Sequence, residues 1–294
     1  MNFETVKAAV QAGCFQASKP LREIRPVDLQ RNPRIVASRK YNGNFALAMV
    51  EREGVINFYT SGNLCLARLD QAGFVPGPWW EALSQTAPGT ILLGELFIPS
   101  TGVEDLGAFQ KWYTWQRQGG QRPVPAQFLS FDLLVDERRS LSQRPYEERW
   151  NRIPEVLRAA PAPYRRLRDA KFALEIAQQG TCEGFVFWEA EALSICKIGG
   201  QQSPRGGAWK VKPVRREIFT LARLKVAQPE NLVMILGRPG HDEFACGSGL
   251  SHGERRELAT AHQAGKEILV EVAHYGRDEN GKPEMPRACH WEMT

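Results

Sequence analysis

No C-x-x-C pair occurs in this sequence, although it holds six cysteines (Cys14, Cys65, Cys182, Cys196, Cys246 and Cys289). Thiols scattered in this way argue against a zinc ribbon and a disulfide framework, and favour reduced cysteines. Histidine is scarce and confined to the C-terminal end, at His241, His252, His262, His274 and His290. None of these has the i, i+4 spacing of a helical metal pair, which argues for surface or loop histidines rather than ligands. No apolar run approaches the ~18 residues that a membrane helix needs, and Met1-Asn2-Phe3-Glu4 does not open a signal peptide. Internal repeats and low-complexity tracts are missing too. What these absences leave is a soluble chain, expected in the cytoplasm, with 294 residues for one large or two ordinary domains.

A modest net charge of +5 is unevenly spread. Residues 215–294 carry 11 Lys/Arg against 12 Asp/Glu, and the first 214 carry 27 against 21. An electrostatic footprint for a polyanion therefore belongs to the N-terminal part; an ordinary solvated surface accounts for the numbers equally well.

Apolar, β-rich stretches predict strands at Asn44–Val50, Val55–Tyr59, Ile91–Ile98, Phe128–Val135 and Gly184–Trp188. Helical patterns run from Phe3 to Ala12, from Tyr146 to Ala159 with an interruption at Pro154, and from Asp169 to Gln179. The loop signature Ser203-Pro204-Arg205-Gly206-Gly207 precedes a boundary near Pro213. Beyond it, strands at Ile218–Leu224, Leu232–Gly237 and Ile268–His274, with a helix at Ser251–Ala264, suit a small β-barrel.

Chemistry-bearing residues recur in a definite order. Lys40-Tyr41-Asn42-Gly43 stands between the strand-like Ile35–Ala37 and the strand that begins at Asn44. Leu93-Gly94-Glu95-Leu96 puts a carboxylate at a strand end, and Phe128-Leu129-Ser130-Phe131-Asp132-Leu133 is a strand carrying an aromatic. Cys182-Glu183-Gly184-Phe185 sets a second carboxylate beside a glycine. Trp209-Lys210-Val211-Lys212 puts two ammonium groups on one face of an extended strand, because side chains alternate with period two.

In this order the chain resembles the covalent nucleotidyltransferases: ATP-dependent DNA ligases, RNA ligases and mRNA-capping guanylyltransferases. Their motifs run K-x-D-G, S-R-x-G, G-E, an aromatic strand, E-G and K-x-K, and five of the six find a match between Lys40 and Lys212. Two further stretches resemble DNA ligases most closely. One is Phe131-Asp132-Leu133-Leu134 with Pro145-Tyr146-Glu147-Glu148-Arg149; the other is Cys246-Gly247-Ser248-Gly249-Leu250-Ser251 with Glu254-Arg255-Arg256-Glu257-Leu258.

The resemblance implies an α+β fold of the minimal two-domain type. An ATP-grasp-like nucleotidyltransferase domain of antiparallel sheets and helices would span 1–213, and an OB-fold β-barrel 214–294. It implies a monomeric, ATP-dependent ligase that seals nicks in duplex DNA during repair, replication or recombination, with magnesium or manganese as cofactor and no membrane partner. Lys40 would be the nucleophile. Glu95 would contact the ribose, Phe131 would stack on adenine, and Asn42 and Thr60 would lie beside the nucleotide. Glu183, with Glu95, would place the metal, and Lys210 and Lys212 would stabilise charge on the transferring phosphoryl group. Arg144, Arg149, Arg165, Arg166, Arg168, Lys197 and Arg205 are candidates for phosphate contacts. Trp79-Trp80 and Trp112–Trp115 read as packing residues.

Several positions depart from the pattern. Asn42 replaces the aspartate after the lysine, Ser38 the acid before it, and Phe45 stands near the place of an arginine. Thr60 occupies the place of the S-R-x-G arginine, and Arg287–Glu292 lack the closing R-x-D-K. Fewer planar phosphate donors imply weaker self-adenylation. An RNA ligase, or a nick- or end-binding protein with a weakened site, stays open as an alternative.

Overall fold

A computed structural model describes residues 2–17, 22–24, 26–52, 55–68, 73–99, 106–119, 121, 123–179, 182–194, 196–199, 207–228, 231–238, 242–277, 281–283 and 285–294. The chain divides into two compact units, Met1–Lys212 and Pro213–Thr294.

Among the described residues the larger unit holds two main sheets and a two-stranded ladder of Phe15–Gln16 with Lys197–Ile198. The first runs in the order Cys65–Arg68, Val55–Tyr59, Asn44–Arg52, Ile91–Phe97, Gln127–Asp136, Arg139–Ser140, with antiparallel neighbours throughout. The second has the order Arg22–Glu23, Ala208–Val211, Gly184–Glu189, Ile35–Lys40; only its Arg22–Glu23 edge is parallel to its neighbour. The strands read as continuous apolar runs because both faces of each sheet are covered. Along Asn44–Arg52, Ala46, Ala48 and Val50 enter the core between the sheets, while Leu47 and Met49 meet Phe3, Val6 and Val10 of the helix Phe3–Gln11. Along Gly184–Glu189, Val186 and Trp188 enter the shared core; Phe185 and Phe187 face Ala170, Ala173 and Ala177 of the helix Ala170–Gln178. Period-two alternation thus stacks helix, sheet, sheet and helix.

The helix predicted from Tyr146 to Ala159 stops at Arg152. Ile153 is already extended (φ −68°, ψ 127°), as a residue before proline tends to be, and a single 3-10 turn, Glu155–Leu157, follows Pro154. Three helices were not anticipated: Pro26–Arg31, Pro78–Ser84 and Leu106–Gln118. The predicted loop signature falls on residues 203–206, outside the described residues, and Gly207 adjoins the Ala208–Val211 strand.

The smaller unit is one antiparallel sheet in the order Phe244–Cys246, Asn231–Gly237, Arg215–Gln228, Ile268–His274, Arg287–Met293. The helix His252–Gln263 covers it through Leu258, and is capped by Ser251, whose hydroxyl accepts from the Glu254 N–H while Glu254 accepts from the Ser251 N–H. Among the described residues no ladder joins the two outer strands, so the sheet is open where a closed barrel was expected.

Candidate active site

The tetrapeptide Lys40-Tyr41-Asn42-Gly43 is where the chain leaves one sheet for the other. Lys40 is the last residue of Ile35–Lys40, and Asn44 is the first of Asn44–Arg52. Tyr41 fixes the turn: its ring packs on Phe97 with centroids 4.6 Å apart, and its hydroxyl accepts the Ala160 N–H at 3.1 Å. Gly43 runs so close to the neighbouring strand that a Cβ would overlap the Leu96 carbonyl oxygen, so glycine is required there.

Register brings the other groups to the lysine. Gly184 pairs with Lys40, which sets Glu183 beside the amine, and Val186 pairs with Lys210. Lys40 Nζ donates to Glu183 Oε2 at 2.5 Å and to the Tyr41 carbonyl at 3.2 Å. The other carboxylate oxygen, Oε1, takes an ion pair from Lys212. All three side chains are largely withdrawn from water, at 18% exposure for Lys40, 11% for Glu183 and 12% for Lys212. An amine whose lone pair is to attack must first leave this ion pair.

Glu95, paired with Phe45 in the other sheet, faces the same cluster. Burial pushes its carboxyl up to about 7, against the pull of Lys40, with Glu183 adding to the rise and the Gly43 N–H opposing it. Burial also holds the Lys210 ammonium below the ordinary lysine range, and the neighbouring Lys40 and Lys212 charges add to the effect.

Between the sheets lies a cavity of about 210 Å³. Its polar lining includes Ser38, Arg39, Lys40, Glu95 and Lys210, and its apolar wall includes Phe45, Phe131, Val186 and Trp188. The wall is braced from behind: Tyr146 stacks on Trp188 at 4.7 Å and 13°, and donates its hydroxyl to the Phe131 carbonyl at 2.5 Å. Arg149 then forks onto Asp132, at 2.7 Å through Nε and 3.1 Å through Nη2, and its third nitrogen caps the carbonyls of Arg144 and Ala192.

Of the predicted site residues, Lys40, Glu95, Phe131 and Lys210 line the cavity, and Glu183 and Lys212 join through the lysine cluster. Asn42 sits in the turn beside Lys40, half-buried. Thr60 is placed elsewhere. Its hydroxyl closes the turn after Val55–Tyr59, accepting the N–H groups of Gly62 and Leu64 at 3.2 and 3.3 Å, and it does not line the cavity. Arg149 is corrected outright: at 0% exposure, locked on Asp132, it has no path to a DNA phosphate. Arg144, Arg165, Arg166 and Arg168 lie at the surface, as does Lys197; Arg205 is outside the described residues. Trp79 and Trp112 are core residues, the latter donating to the Gly73 carbonyl at 2.7 Å. Sequence reading passed over Trp188 and gave Phe45 no role in the pocket. The signal for Trp188 was present: counted in twos from Gly184, Val186 and Trp188 share one face.

No protein-family model matches the chain, and no curated protein matches it. Solved structures do. A Lig E DNA ligase, described as binding DNA with a minimal scaffold, superposes with a TM-score of 0.65 at 16% identity, over 94% of this chain and 99% of that one. The chain has the fold of the DNA ligases. Pmar-Lig_Pre gives a TM-score of 0.68 at 16% identity over 95% of this chain and 68% of its own. The ligase domain of M. tuberculosis LigD gives 0.51 at 16% identity, over 94% and 95% of the two chains. At such identities the likeness is one of fold, and the argument for chemistry rests on the cluster around Lys40.

Proposed function

We propose that the chain is an ATP-dependent polynucleotide ligase that seals nicks in duplex DNA. One observation carries the reading: a lysine at the edge of an aromatic-walled cavity, with two carboxylates and two further ammonium groups around it.

In this reading ATP is a substrate, and Phe131 stacks on its base while Glu95 holds the ribose. Lys40 attacks the α-phosphorus. The Lys40 ammonium first loses a proton to solvent to expose its lone pair; as the P–N bond forms, the P–O bond to pyrophosphate breaks and the nitrogen passes a second proton to solvent. Glu183 releases Lys40 for the attack and keeps Lys212 oriented; Lys210 and Lys212 stabilise the charge that builds on the phosphoryl oxygens. The adenylyl group then passes to the 5′-phosphate of the nick, and the 3′-hydroxyl displaces AMP. Glu95 and Glu183 would hold a divalent ion, which would supply further neutralisation of phosphate charge. Two acids fit magnesium, which takes few carboxylates and keeps its waters, and the desolvated Glu95 carboxyl gains a counter-charge from it.

In this reading residues 214–294, whose described part holds five strands and a helix, serve as an OB-fold module that grips the duplex, and residues 1–213 as the transferase domain. The protein acts as a soluble monomer, and no helix among the described residues is long and apolar enough to cross a membrane. A second reading, a nick-binding protein with a weakened transferase site, draws on Thr60. It stands where an arginine would be expected and spends its hydroxyl on its own turn.

A gel assay with nicked duplexes, DNA or RNA on either side of the nick, separates these. Sealing confined to DNA 3′-hydroxyl and DNA 5′-phosphate supports the proposal. Sealing that requires RNA points to an RNA ligase, and binding without sealing to the weakened site.

A further inference from the structure

The helix Leu106–Gln118 turns Phe109 and Trp112 into the core, both at 0% exposure. Trp115, one turn on, is placed differently. It stays half-buried and lines an open surface cleft of about 440 Å³ with Gln110, Lys111, Thr114 and Gln121. No residue that lines this cleft lines the cavity beside Lys40. The Trp115 indole is seated rather than loose. Gly73, at φ +112°, runs so close to it that an added Cβ would come within 2.6 Å of the ring. No carboxylate lines the cleft, and the helix carries two basic residues, Lys111 and Arg117, with no acidic one.

We propose that this cleft takes an unpaired nucleotide of a single-stranded polynucleotide, its base stacked on Trp115 and its phosphate on Lys111. The inference takes its class of ligand from the ligase reading given above and adds a second contact outside the cavity at Lys40. Three features support it. Every base offers a flat π face, so an indole already held in place serves any sequence, and its placement before binding lowers the cost of ordering. Lys111 brings a point charge to the backbone, and a lining without carboxylates favours a polyanion over an acid-seeking partner. Gln110 and Gln121 each present an amide donor and acceptor to a base edge. The base must be unpaired, because inside a duplex its faces are covered by its neighbours. The ligand is therefore an overhang or a frayed end rather than the intact duplex.

Fluorescence anisotropy of a labelled oligothymidylate of about twelve nucleotides, at fixed low salt, tests the contact with the full chain. An abasic strand of equal length and charge is the comparison. The wild-type chain should bind the oligothymidylate on the order of tenfold more tightly than the abasic strand, a difference of ~1.4 kcal/mol. Trp115→Ala should lose that preference. Thr114→Glu, at an exposed helix position, sets a carboxylate in the cleft without touching the core and should weaken oligothymidylate binding by a similar factor. Equal binding of the two strands by the wild-type chain overturns the inference, whether or not Trp115→Ala folds. Unchanged oligothymidylate binding in Thr114→Glu overturns it too, as does a preference that survives in folded Trp115→Ala. A cleft that serves a peptide instead gives these same negative results. Covalent labelling of Lys40 by ATP, which both variants should retain, keeps the two claims apart. Labelling without base-dependent strand binding removes this site and leaves the ligase reading; the expected strand binding without labelling does the reverse.

Discussion

Replacing Glu95 by glutamine should make the protein more stable at alkaline pH while impairing its chemistry. The carboxyl sits at about 7 in the folded chain against an ordinary 4.5, because burial disfavours the charged form more than Lys40 and Lys210 restore it. A raised folded value means that the neutral acid contributes its full stability below pH 4.5, and that this contribution is lost as pH climbs through 7. At ~1.36 kcal/mol per unit the whole span is worth ~3 kcal/mol; partial exposure of the residue reduces it to ~1–3. Glutamine reproduces the neutral form at every pH. Urea unfolding at pH 5 and pH 8 should therefore show Glu95→Gln close to wild type at the lower pH and ~1–3 kcal/mol more stable at the higher. On the proposed ligase reading the same variant should also react more slowly with ATP, because that reading assigns the Glu95 carboxylate to ribose or metal. A Glu95→Gln protein less stable than wild type at pH 8, or offset equally at both pH values, would refute the reasoning.

Asp132→Ala strands the Arg149 guanidinium in the core and should cost about 3–5 kcal/mol, lowering the melting temperature by roughly 6–20 °C in calorimetry, whereas Asp132→Leu combined with Arg149→Met should recover much of the loss. Gly184→Ala should lower stability by about 1–3 kcal/mol in the same assay and slow labelling by ATP, because Gly184 has φ +143° and an added Cβ would meet the Val211 carbonyl oxygen, displacing Glu183 and Lys212 together. Lys212→Ala should leave folding intact by circular dichroism and, on the proposed reading of Lys212 as a stabiliser of phosphoryl charge, slow transfer of AMP to the protein by about 100-fold.

The lysine–carboxylate cluster was legible because it is built from local rules. A lysine at a strand end, a carboxylate beside a glycine, and two lysines spaced by two need only the period of a strand to be placed. Placing Glu95 in the same cluster took the ordered resemblance, since it comes from the other sheet. Other features depend on partners that sequence spacing does not reveal. Arg149 looked like a phosphate ligand because a charge is expected at the surface; its partner Asp132 lies on a different element. Trp188 was visible as a strand residue, but its place in the cavity wall needed the packing of one sheet on the other. Pro26–Arg31 and Pro78–Ser84 are too short for helical periodicity to declare itself, and tertiary packing supplies most of what holds such helices. Thr60 matched a motif position by alignment alone, and the turn it closes keeps it out of the cavity.

Mass spectrometry of the chain after incubation with ATP and Mg²⁺ tests the central claim most directly. The account predicts one AMP adduct, mapped to Lys40 and missing from Lys40→Ala. No adduct on the wild-type chain, or full labelling of Lys40→Ala, would contradict it.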